Sequence, residues 1–211
     1  NVHRGETWTE TFSALERHTL AVRNAVCPNA PYAIGLRLSD AASRELTEPE
    51  RLLEFQRWLD RHGCYVFTIN GFPFGKFHGT RVKEEVYLPD WRDAARLEYT
   101  NRLADLLAQL MPQGLDTPAS ISTVPGAFKP AAASAEAVAR IVENVLRHAA
   151  YLVELERATG RRIVLALEPE PCCMLETVAE TVAFFRTYLH GEAAAARLGA
   201  PAGLDEAAAA H

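Results

Sequence analysis

Two carboxylates separated by a single proline close the apolar run Ile163-Val164-Leu165-Ala166-Leu167-Glu168-Pro169-Glu170-Pro171. Carboxylates so placed can ligate a cation, accept hydrogen bonds from ligand hydroxyls or move a proton. Each Glu precedes a proline, which drives it out of the helical region, so the acidic end stays extended. Strand alternation puts Val164, Ala166, Glu168 and Glu170 on one face and Ile163, Leu165 and Leu167 on the other. The run, bounded by turn signals, reads as a strand covered on both faces, and in parallel α/β folds sites are built where such strands exit. A strand-end Glu is also often a solvated rim residue or the partner of a base. The apolar run gives Glu168 depth, which argues against the rim, whereas Glu170, one step nearer solvent, suits the rim.

Other candidates follow from the same parity. In Tyr32-Ala-Ile-Gly-Leu-Arg-Leu38, Arg37 falls on the face opposite Ile34, Leu36 and Leu38 and needs a carboxylate, a phosphate or water; Glu168 or a ligand anion would serve. In Tyr65-Val-Phe-Thr-Ile-Asn70, Phe67 and Ile69 oppose Thr68 and Asn70, and in Ser120-Ile-Ser-Thr-Val124, Ile121 opposes Ser120 and Ser122. The connection from Asn70 to Trp91 is about twenty residues long, where two to six is usual, and carries Phe72, Phe74, Phe77 and the titratable His78. A lid over a small-molecule site and packing against another domain both explain it. His3, just ahead of the first helix, is either a ligand or a surface imidazole, and Lys129 is an anion contact or an exposed charge.

The positioning elements alternate. Thr7/Glu10 capping-box spacing opens one long amphipathic helix through Trp8, Phe12, Leu15, Val22 and Val26. A short helix over Ser39–Leu46 precedes a second box, Thr47/Glu50, with Leu52, Phe55 and Leu59 behind it and Gly63 as its stop. Further helices are predicted over Asp93–Met111, from a Ser134 cap to Gly160, and from the Thr177/Glu180 box through Leu189. With the four strands between them, this is α/β with parallel strands. Each strand has one greasy face and one that turns small or polar toward its exit. An open doubly wound sheet would need both faces apolar, so a closed barrel is expected.

The chain has 211 residues and a net charge of −5, without a basic cluster, which argues against nucleic acid. No run reaches membrane-spanning length. Four cysteines form neither a disulfide framework nor a zinc-ribbon spacing, so a reducing, cytoplasmic setting is expected, with Cys172 and Cys173 packing as small apolar residues. The Ala-rich segment 191–211 reads as a weakly ordered tail or connection.

The segments Asn1-Val-His-Arg-Gly-Glu-Thr-Trp8, Phe67-Thr-Ile-Asn-Gly-Phe-Pro-Phe-Gly75, Phe77-His-Gly-Thr-Arg-Val-Lys83, Ser122-Thr-Val-Pro-Gly126 and Leu167-Glu-Pro-Glu-Pro-Cys-Cys173 carry a resemblance. They are similar to the xylose-isomerase-like TIM barrels, the superfamily of sugar isomerases, epimerases and endonuclease IV. Within it they are most like the metabolite traffic family of bacterial Ebo clusters. The resemblance implies a (β/α)8 barrel of which residues 1–211 cover about the first five βα units, the first strand missing. It implies Glu168 as first ligand of a divalent metal (Mn, Mg or Zn) at the barrel mouth, and as a base where the protein is an isomerase or epimerase. The other ligands would lie on later strands. His3, Arg37, Asn70, His78 and Glu170 are then candidate contacts to a small sugar-like metabolite. Whether the protein is a carrier or an isomerase, and whether it is a homo-oligomer, stays open.

Overall fold

The computed structural model describes residues 5–75, 85–115, 117–191 and 194–196. Thr7 caps the first helix as expected: its hydroxyl accepts from Glu10 N while the Glu10 carboxylate accepts from the cap backbone. Helix α1 (Trp8–Ala14) runs through a π turn at Leu15–Thr19 into α2 (Leu20–Val26). Trp8, Phe12, Phe55 and Trp58 form one aromatic cluster with centroids 4.9 to 6.0 Å apart. Val22 and Val26, expected on the same stripe, are instead 50% and 68% exposed. The π turn lengthens the repeat and rotates the last two turns, so the apolar stripe no longer faces the core.

Strand β1 (Tyr32–Arg37) leads to α3 (Asp40–Leu46), α4 (Pro49–Arg61) and β2 (Cys64–Asn70). Ser39 caps α3 through Ala42 N. The expected Thr47/Glu50 box is absent: Thr47 ends α3 with its hydroxyl on Arg44 O, and Glu48 precedes Pro49 at the head of α4. Proline is pre-set for the first helical position and holds the residue before it extended, so the boundary moves one residue on. Helix α5 (Ala94–Leu110), capped by Asp93, leads to β3 (Ala119–Thr123). Helix α6 (Ala135–Thr159), capped by Ser134 and closed by Gly160 at φ 68°, leads to β4 (Ile163–Leu167) and α7 (Val178–Phe184). The Thr177/Glu180 box opens α7. Of the Ala-rich segment, Gly191 and residues 194–196 are described, with Ala194 and Ala195 buried.

The four strands are parallel and lie in chain order, β1-β2-β3-β4. A doubly wound sheet reverses its order at a switch point, and this one does not. The mixed α/β chain is thus compatible with a sector of an α/β barrel. One face, with Ile34, Leu36, Val66, Ile69, Ile121 and Ile163, is packed under the helices. The other is uncovered among the described residues: Val164 is 39% exposed, so β4 is covered on one face rather than two.

The parity expected for β2 fails at one residue. Ile34 pairs with Val66 but Gly35 pairs with Thr68, so Phe67 is the extra residue of a bulge. Val66 and Ile69 face the helices, and Phe67 is 40% exposed on the open side, its ring 6.4 Å from Tyr65. Beyond the bulge the register returns, and Thr68 and Asn70 stand on the open face as expected.

Candidate functional site

The register lines up the strand exits. Arg37 pairs with Asn70, Asn70 with Ser122 and Ser122 with Ala166, and Glu168 follows two residues on. At roughly 4.8 Å per strand this row separates Arg37 from β4 by about 14 Å, so the structure does not bring Arg37 and Glu168 together.

Arg37 has a carboxylate of its own. Its Nη2 lies 3.4 Å from Glu6 Oε1, with side-chain exposures of 10% and 22%. Glu6 is held by its backbone: Ser39 Oγ donates to Glu6 O at 2.6 Å, and Glu6 N donates to Glu10 at 2.9 Å. Glu6 was not singled out from the sequence; its one signal is its place just ahead of a capping box.

Asn70 accepts from Phe72 N at 3.0 Å, a side-chain turn that starts the long β2–α5 connection. Gly71 is required there, because a Cβ would lie 2.7 Å from Leu103 Cδ1 and 3.1 Å from Ser122 O. Both ends of the connection are gripped by Arg96 of α5, which is fully buried. Its Nη1 donates to Gly71 O and Phe72 O at 2.7 and 3.2 Å, and its Nε to Pro89 O at 2.7 Å. Burial pulls this guanidinium down to about 10, and the rings of Phe74 and Tyr99 flank it at 5.6 Å. The connection then reaches the neighbouring exits: Trp91 Nε1 donates to Thr123 Oγ1 at 3.2 Å and Trp91 N to Gly126 O at 3.1 Å.

The exits of β3 and β4 are laced to each other. Lys129 N donates to Cys172 O and Met174 N to Ala127 O, both at 2.8 Å, and Phe128 bridges Cys173. Lys129 Nζ sits 2.5 Å from Glu176 and 3.1 Å from Glu180. Lys129, with the backbone N–H groups of Glu176 and Thr177, pulls the Glu180 carboxyl down to about 2. Lys129 is therefore an ion-pair partner of the first turn of α7. Cys173 packs in the core as expected, and burial pushes its thiol up. Cys172 does not: it is exposed, at φ 69°.

The two glutamates behave differently. Glu168 N donates to Thr123 O at 3.1 Å, which fixes the backbone, while its half-buried carboxylate has no hydrogen bond or ion pair among the described residues. Glu170 Oε2 accepts from Tyr87 Oη at 3.0 Å. Tyr87, also not singled out from the sequence, stacks on Phe128 at 6.0 Å and meets Phe72 edge-on at 5.7 Å. His3 and His78 lie outside the described residues.

Among the described residues no three His, Cys, Asp or Glu side chains come together as a metal centre. Glu168 fits a divalent cation as one hard oxygen ligand, and no group of three such side chains among the described residues completes a set around it. Cavities of about 300 Å³ beside Leu88, Pro89 and Asp90, and of about 270 Å³ between α5 and α6 at Asn101 and Tyr151, do not include Arg37, Asn70, Glu168 or Glu170. Glu168 stands at the end of β4, beside the sheet face that is uncovered among the described residues. No helix among the described residues is long and apolar enough to cross a membrane.

Compared with protein-family models, with curated proteins and with solved structures, the chain gives no match.

Proposed function

We propose that this chain is a sector of a xylose-isomerase-like (β/α)8 barrel of the metabolite traffic type. On this reading it handles a small sugar-like metabolite at the exits of its strands, with Glu168 one ligand of a divalent metal. The observation that carries the reading is the Glu168 carboxylate: half-buried at the end of β4, fixed through its backbone, and without a protein partner among the described residues. A carboxylate at a strand exit without a counter-group among the described residues keeps its acceptor oxygens open, so a cation or a ligand donor is its natural complement. The remaining metal ligands would come from residues outside those described.

When bound, such an ion polarises neighbouring ligand oxygens. The chain's own contribution is to hold the Glu168 backbone on Thr123 O and to pair Arg37 with Glu6 and Lys129 with Glu176 and Glu180. This leaves the β4 exit acidic.

Calorimetric titration of the protein with Mn²⁺, Mg²⁺ and Zn²⁺ tests the reading. Glu168→Gln is expected to weaken binding by about tenfold or more, as loss of a charged ligand should. Identical isotherms for the two proteins would overturn it. A sugar and polyol panel in deuterated water separates the two activities. Steady deuterium uptake that Glu168→Gln abolishes marks an isomerase or epimerase, and ligand retention without uptake marks a carrier.

A further inference from the structure

Glu168 and Glu170 are two residues apart on an extended Glu-Pro-Glu-Pro segment, and unbroken alternation would set both carboxylates on one face. There they would repel, and a cation arriving at one would recruit the other. Beyond Pro169 the chain turns back on itself: Glu170 N donates to Leu175 O and Cys173 N to Glu170 O, both at 3.1 Å. The Glu170 carboxylate then meets the Tyr87 hydroxyl at 3.0 Å.

Tyr87 is itself fixed from two sides. Its ring lies nearly parallel to Phe128, at 14°, and stands at 62° to Phe72. Phe128 belongs to the β3 exit and pairs with Cys173, so the ring that holds Tyr87 is anchored to the same turn as Glu170. Burial, and then Cys173 and Glu170, push the phenol above its ordinary range, so it remains a donor throughout neutral pH. A neutral O–H donating to a carboxylate is a strong, oriented hydrogen bond.

We infer that Tyr87 is a positioning residue that divides the two carboxylates: it commits Glu170 to the interlocked loops and leaves Glu168 as the one that meets the ligand. The inference rests on the reading of Glu168 as the ligand-facing group. It makes Glu170 a structural acceptor whose loss leaves the ligand site intact, and it makes Tyr87 a determinant of how many charges that site presents.

The test uses Glu168→Gln, Glu170→Gln, Tyr87→Phe and the Tyr87→Phe/Glu170→Gln double variant, each checked for cooperative melting. Carbodiimide labelling of the folded proteins, read by mass spectrometry, should modify Glu168 and spare Glu170 in the parent. In Tyr87→Phe, Glu170 labelling should rise severalfold with Glu168 unchanged. Titration with Mn²⁺ alone should find Glu170→Gln close to the parent. Tyr87→Phe should bind about threefold or more tightly, because a freed second carboxylate adds charge to the site. The double variant should return to the parent value, a rescue that a merely structural role for Tyr87 would not produce. Equal labelling of both glutamates in the parent, unchanged Mn²⁺ affinity in Tyr87→Phe, or failure of the double variant to reverse the gain would overturn the inference. Loss of Mn²⁺ binding in Glu170→Gln equal to that in Glu168→Gln would overturn it too. Unchanged binding in Glu168→Gln would instead overturn the reading beneath it.

Discussion

The Arg37 guanidinium and the Glu6 carboxylate meet across 3.4 Å at the exit of β1, and both are largely out of water. Removing one partner of such a pair takes a counter-charge from the other in a poorly solvated place. Glu6→Gln and Arg37→Met are each expected to cost about 1–3 kcal/mol, below the full cost of a completely buried pair. The double variant should cost less than the sum by about 0.5 kcal/mol or more. Urea unfolding of the four proteins checks this, and strictly additive losses would show that the two side chains are not coupled.

His148 on α6 is fully buried; its Nδ1 lies 2.6 Å from Asn101 Oδ1 and its Nε2 is buried without a partner among the described residues. Burial pulls its value from 6.5 to about 3. The unfolded chain takes up this proton near 6.5 and the folded chain refuses it until about 3. Stability contributed by neutral His148 is therefore complete above the unfolded value and is lost as pH falls between the two, by up to about 1.4 kcal/mol per unit. Denaturant midpoints from neutral pH down to pH 4 should fall more steeply in the parent than in His148→Gln, since the carboxylates are common to both. Parallel curves would mean that His148 is not the neutral, desolvated group described.

The β2 bulge makes neighbouring apolar residues unequal. Ile69 is fully buried beneath the helices, so Ile69→Ala should cost about 2–5 kcal/mol. Phe67 is 40% exposed on the open face, so Phe67→Ser should cost under about 1 kcal/mol. Comparable losses in thermal or urea unfolding would return Phe67 to the helix-covered face.

Much of this architecture was legible in the residues. Ile34, Leu36 and Leu38, and the alternation in β3 and β4, marked the helix-covered face, because a two-residue period leaves little freedom once one side is greasy. Two of three capping boxes formed; the third gave way to Pro49, whose ring decides a helix start more firmly than a hydroxyl. The bulge at Phe67 and the π turn at Leu15–Thr19 were not legible, since each inserts one residue without changing composition. At the site, the strand whose end carries Glu168 could be placed from its apolar run and the prolines that follow it. Glu6 and Tyr87 could not, because their partners lie 31 and 83 residues away and nothing local marks either.

The central claim is that a cation at this protein settles beside Glu168, and backbone NMR of the protein titrated with substoichiometric Mn²⁺ tests it most directly. The account predicts paramagnetic broadening centred on the amides of Ala166, Leu167 and Glu168 and on Ser122 and Thr123 across the sheet, and its disappearance in Glu168→Gln. Broadening centred on Glu176 and Glu180 or on Glu6, or a pattern that survives Glu168→Gln unchanged, would contradict it.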